Sequence, residues 1–122
     1  MSIFNALHLP DFHRNWVERG YILAKDLNVN ILQDPACYRI DIAPLEYKQK
    51  LTEKFNKHIA WLKTMEDSLG RATRGFESAI TFMNATDNSH LIQQFWTKTN
   101  ELDSVRNESI LDIIPELIAL KS

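Results

Sequence analysis

Cysteine is almost absent from this sequence: Cys37 is the only one among 122 residues. One thiol cannot close an internal disulfide or form a CxxC pair, and alone it cannot hold a structural zinc or an iron–sulfur cluster. A chain without a disulfide framework suits a reducing compartment, and the expected location is the cytoplasm. Glycine is nearly as scarce, at positions 20, 70 and 75. These positions spell neither GxGxxG nor a Walker-type loop, so no phosphate-cradling turn is readable. No run of about 18 apolar residues occurs, so no helical membrane span is expected. The opening MSIFNALHLPDFHRN has no basic stretch followed by an apolar one, which is not the pattern of a secretory signal. An excess of positive charge is also missing, with 14 Lys and Arg against 16 Asp and Glu. Nucleic acid is therefore not an expected partner, because affinity for phosphates needs a cationic face.

What remains is an ordinary globular balance: 44% hydrophobic and 25% charged residues, enough apolar surface to offset the entropy of ordering. No linker and no internal repeat divides the chain, so residues 1–122 are read as one domain. The fold class expected is mainly α: a hairpin or bundle of about four helices, with a small β-hairpin in the N-terminal third. The first helix is predicted from Asp11 to Arg19, with Phe12 and Trp16 on one face and expected in the core. Gly20 fits the left-handed position after it, with Tyr21 returning onto Trp16. Period-2 alternation over Asn28–Gln33 and Tyr38–Ile42, around a turn at Asp34-Pro35-Ala36-Cys37, predicts the hairpin.

The second helix is predicted from Pro44 to a stop at Gly70. Tyr47, Leu51, Phe55, Ile59, Leu62, Met65 and Leu69 form its inward face, and Lys48, Glu53, Lys57 and Lys63 lie elsewhere. About 25 residues would span ~38 Å. A third helix, from about Arg71 to Asn84, carries the stripe Ala72, Phe76, Ala79, Ile80 and Met83. Gly75 within it allows a close crossing. Asp87 and Asn88 suit the cap of a fourth helix, Ser89–Arg106, with Leu91, Ile92, Phe95, Leu102 and Val105 inward and Trp96 at the edge. Ser109-x-x-Asp112 fits the start of a short turn over Ile110–Ile114, and Glu116–Leu120 forms a last helical piece.

Residues able to do chemistry are few. His8 and His13 are interrupted by Pro10 and do not share a helix face, so they read as exposed or capping rather than as metal ligands. His58 lies on the polar edge of the second helix, with no nucleophile placed beside it. Asn88 and His90 read either as simple capping or as a polar, anion-favouring site at a helix start. Cys37 has no cationic neighbour or base that would activate it and reads as buried or incidental. Asp103, Arg106, Asn107 and Glu108 form a polar group at a helix end. They are either a solvated terminus or a network in which Arg106 forks to a carboxylate. No catalytic, cofactor-binding or metal residue is assigned.

The stretch FMNATDNSHLIQQFWTKTNELDSVRNESILDIIPEL, Phe82 to Leu117, resembles the C-terminal end of twitch-domain radical S-adenosylmethionine proteins, often phage-encoded. Such proteins tend to carry a related FMN…D.SHL stretch, then LD..R.E/N, then a terminal FPEL-like run. KHIAWLK (Lys57 to Lys63) and FNALHLP (Phe4 to Pro10) are similar to upstream pieces of the same region. The resemblance implies a parent activity, reductive cleavage of S-adenosylmethionine at a 4Fe–4S cluster held by a CxxxCxxC loop on a partial barrel. That loop and the twitch cysteines are missing here. The resemblance therefore implies a non-catalytic accessory region that covers the active site or binds the protein substrate. Its implied partner is the upstream barrel, and Asn88, His90, Asp103, Arg106, Asn107 and Glu108 are motif residues of no implied role. The alternative from composition is a stand-alone helical interaction module, a homodimer for example, because three tryptophans and six phenylalanines are many for so small a domain.

Overall fold

Tyr47, Leu51, Phe55, Ile59 and Leu62 recur every three or four residues, which puts them on one face of a helix. In the computed structural model, which describes residues 1–65, 70–106 and 109–120, all five are buried. The helices are α1 (Leu9–Glu18), α2 (Leu45–Leu62), α3 (Arg71–Ala85), α4 (Ile92–Arg106) and α5 (Ile110–Ile113). Tight 3-10 turns occupy Ala24–Asp26, Ala36–Tyr38, Ile40–Ile42, Ser89–Leu91 and Pro115–Leu120. The mainly α class predicted from the periodicity is thus what the chain adopts.

Helices α2 and α3 form an antiparallel hairpin at the centre. Lys48 meets Thr86, Asn84 meets Thr52 at 3.1 Å, and Phe55 and Phe76 stack at 5.4 Å, so one chain descends as the other ascends. Ala72, Phe76, Ala79 and Met83 are the buried stripe of α3, as their spacing predicts. Helix α2 ends earlier than expected. Its 18 residues span ~27 Å rather than ~38 Å. The Thr64 hydroxyl and the Thr64 N–H both bond the Trp61 carbonyl, at 2.6 and 2.9 Å, and Met65 N–H bonds Leu62. These i to i−3 bonds tighten the chain out of α-geometry and leave Met65 exposed. Leu69 lies outside the described residues.

The predicted hairpin is a correction. Residues 28–33 form no strand and bond the chain start, not 38–42: Leu32 N–H bonds the Met1 carbonyl at 2.9 Å, and the Met1 ammonium bonds the Asn30 carbonyl. Residues 36–43 instead close successive tight turns through Arg39 to Ala36 and Ala43 to Ile40. These turns bury Ile40, Asp41 and Ile42 together, so the alternation of residue types there did not mark two faces of a strand. The segment still has a role. Val29 lies so close to α3 that a Cβ on Gly75 would come within 2.7 Å of the Val29 Cβ. The close approach expected at Gly75 is therefore to an irregular segment and not to a helix.

Two expected core faces turn outward. Phe12 and Trp16 on α1 are 51% and 38% exposed, because the helix rolls His13 inward instead. On α4, Phe95 and Thr99 are buried, but Leu102 and Val105 are 43% and 85% exposed: the last two turns outrun the core.

Candidate functional site

A polar loop links α3 to α4, and a buried carboxylate holds it. Asp41 is 2% exposed and receives a two-pronged Arg39 guanidinium, at 3.1 and 3.2 Å. The Asn88 amide donates to the same carboxylate at 2.7 Å and to the Thr86 hydroxyl at 3.0 Å. A buried charge must be met by charge-assisted bonds, and this one is. Asn88 thus anchors the loop rather than capping α4 through its side chain. The cap-like bond belongs to Asp87, which accepts from Ser89 N–H at 3.0 Å. The Ser89 side chain, and then this N–H, hold the Asp87 carboxyl below its ordinary range.

Beside the loop lies a cleft of about 920 Å³ between the starts of α2 and α4. Lys48 forms part of its wall, although its place on the helical wheel predicts a solvated residue. It is 5% exposed and donates to the Thr86 carbonyl at 2.8 Å. His90 and Asp87 stand at the exposed rim, while Ile92, Trp96 and Leu120 supply apolar wall. Lys48 escaped the sequence reading because a lone cation on a helix carries no pattern that separates a buried amine from a solvated one.

A second polar pair joins α1 to α2. His13 and His58 are 1% and 5% exposed, and His13 Nδ1 lies 3.0 Å from His58 Nε2. Trp61 and Phe76 pack on the His58 ring at 5.1 and 4.8 Å, and the Arg14 guanidinium sits 5.2 Å over Trp61. Burial first, then the neighbouring His13 and Arg14, lowers the His58 pKa to about 4. Both histidines were expected at the surface or at a boundary. The signal for their pairing was absent because the partners are 45 residues apart.

The outer face of α1 presents an aromatic row. Trp16 lies 4.8 Å from Phe12 and 5.8 Å from Tyr21, centroid to centroid, and Tyr21 is 64% exposed. The stop at Gly20 fixes this row. With φ of +75° there, Tyr21 N–H returns to the Trp16 carbonyl and Gly20 N–H to Val17, the closure expected from the sequence.

The remaining predicted residues are dispersed. His8 is exposed and meets Glu116 at 3.2 Å. Cys37 is buried. Asp103 accepts from Ile110 N–H at 3.0 Å and so starts α5, whereas Arg106 is exposed at the end of α4. Asn107 and Glu108 lie outside the described residues. Among the described residues, no group of three or more His, Cys, Asp or Glu is arranged to hold a metal ion. No described helix is long and apolar enough to cross a membrane. Comparison with family models, with curated proteins and with solved structures finds no match for this chain.

Proposed function

We propose that the chain is a non-catalytic helical accessory region of a twitch-domain radical S-adenosylmethionine protein, and that it docks on the barrel that performs the chemistry. The observation that carries this reading is the exposed row Phe12, Trp16 and Tyr21. Contiguous apolar surface rimmed by charge marks an interaction face, and Trp and Tyr supply most binding energy where proteins meet. The rim is present: Arg14 pairs with Glu18 at 2.8 Å and Lys54 with Asp11 at 2.7 Å. The inner face of the same helix is tied to α2 through His13, so the row is offered on a fixed support.

The resemblance supplies the partner. Its three segments are used for internal contact: Phe4 stacks on Phe95 at 5.3 Å, His8 meets Glu116, and His58 meets His13. Motif residues spent on internal packing leave the outward rings free for a second protein. The cluster and the S-adenosylmethionine belong to the barrel in this reading, because a chain with one cysteine has no three-thiolate loop of its own.

Calorimetric titration of this chain into the purified, cluster-loaded barrel encoded with it tests the proposal. Saturable binding is expected, weakened by about thirtyfold or more in a Trp16→Ser variant of unchanged helicity. Absence of binding by the wild-type chain, or equal affinity of the variant, overturns it. Self-association of the chain alone through the same row would replace the barrel with a second copy.

A further inference from the structure

We infer that the cleft between the starts of α2 and α4 binds a small organic anion, its head on Lys48 and its apolar body against Ile92, Trp96 and Leu120. The first ground is charge. Lys48 is 95% removed from solvent, yet among the described residues no carboxylate lies within ion-pair distance of it. Its described contact is one neutral acceptor, the Thr86 carbonyl. Asp87 at the rim acts on the ammonium only through space, and a buried ammonium that lacks a contact counter-ion is costly, a cost offset when an anion joins it.

The second ground is backbone. Helix α2 begins at Leu45 behind Pro44, which makes no side-chain cap bond. The first intrahelical donor is Lys48 N–H, bonded to the Pro44 carbonyl, so the amides of Leu45, Glu46 and Tyr47 have no helical acceptor. Ala43, Pro44 and Leu45 line the same cleft as Lys48, which places this amide end and the ammonium on one space. Both favour negative charge.

The third ground is shape and the opposite wall. A volume of about 920 Å³ falls within the range of small-molecule sites, and such sites pair apolar walls with a few convergent polar groups. Here the Trp96 ring, with Ile92 and Leu120, forms the apolar side, and Asn84 and Gln93 add neutral hydrogen-bonding capacity. The Asp87 carboxylate at the rim accepts from Ser89 N–H and feels the Lys48 charge through space, and the exposed His90 stands beside it. The Arg39–Asp41–Asn88 network fixes the loop that forms this rim. A carboxylate or a phosphate monoester on an aromatic or aliphatic body is the ligand class that fits.

Titration of the full chain with phenyl phosphate, and in parallel with uncharged benzyl alcohol, followed by amide and indole NMR shifts, tests the inference. Saturable shifts are expected at Leu45, Glu46, Tyr47, Ser89 and the Trp96 indole with phenyl phosphate, and affinity for benzyl alcohol is expected to be about tenfold weaker or less. A Lys48→Met variant is expected to lose at least about tenfold in phenyl phosphate affinity, and Lys48→Arg to keep most of it. No saturable shift, shifts centred elsewhere, equal binding of the alcohol, or full affinity in a folded Lys48→Met chain would each overturn it. The comparison of the two ligands on the wild-type chain stands even where Lys48→Met fails to fold.

Discussion

His13 Nδ1 lies 3.0 Å from His58 Nε2, and the two rings are almost wholly removed from solvent. At that distance one imidazole donates and the other accepts, so both must not be protonated at once. Burial keeps the His58 pKa near 4, below its ordinary value of 6.5. The unfolded chain therefore binds more protons than the folded chain between about pH 4 and 6.5, and stability falls as pH drops through that window. The loss is expected to reach roughly 3 kcal/mol, read from urea unfolding at several pH values. A His58→Gln variant, which keeps a hydrogen-bonding group that does not titrate, should flatten the slope. Parallel slopes in the two proteins would contradict the assignment. The lowered carboxyls of Asp87 and Glu116 lose their contribution only as pH falls through and below their ordinary values of 3.8 and 4.5, so the slope between about pH 5 and 6.5 reports His58.

Asp41→Ala should be severe. It strands the Arg39 guanidinium and the Asn88 amide, both of which turn toward Asp41. Removing one partner of a buried pair costs about 3 kcal/mol. Thermal unfolding should show the loss, and NMR should show altered amide shifts from Thr86 to His90. A variant as stable as wild type would show that the network does not hold the loop.

Tyr47→Phe should go the other way. The Tyr47 hydroxyl is buried, has no hydrogen-bond partner among the described residues, and has its pKa pushed up to about 12 by burial and by Glu116. Deleting a buried, unmet hydroxyl while keeping the ring should leave stability unchanged or raise it by about 1 kcal/mol. A loss of stability in chemical denaturation would mean that the hydroxyl is bonded.

Gly75→Ala sets two effects against each other. Alanine favours a helix interior by about 1 kcal/mol over glycine. The new Cβ, however, would stand 2.7 Å from the Val29 Cβ and 3.5 Å from the Val29 backbone nitrogen. Overpacking of this kind costs about 1–3 kcal/mol, so a net loss is expected. Pairing the change with Val29→Ala should restore most of it, and failure of that rescue would place the strain elsewhere.

The central hairpin was legible because its inward residues obey one period over several turns, from Tyr47 to Leu62 and from Ala72 to Met83. The stop after α1 was legible because only glycine fits its φ of +75° without strain. The β-hairpin was misread because a tight turn that buries Ile40, Asp41 and Ile42 together has the same residue string as a half-buried strand. The polar centres were invisible for a different reason. His13 with His58, and Asp41 with Asn88, are pairs made by tertiary packing, and neither member looks unusual in its own helix or turn. The face of α1 was inverted because Phe12 and Trp16 and the chain around His13 offer alternative inward stripes, and the buried histidine pair decides between them.

The docking proposal is tested most directly by light scattering on an equimolar mixture of this chain and the cluster-loaded barrel proposed as its partner. The account predicts a single species at the sum of the two masses, reverting to the separate masses when Trp16 is changed to Ser. A mixture that elutes as the barrel and a free 14.2 kDa chain would contradict it.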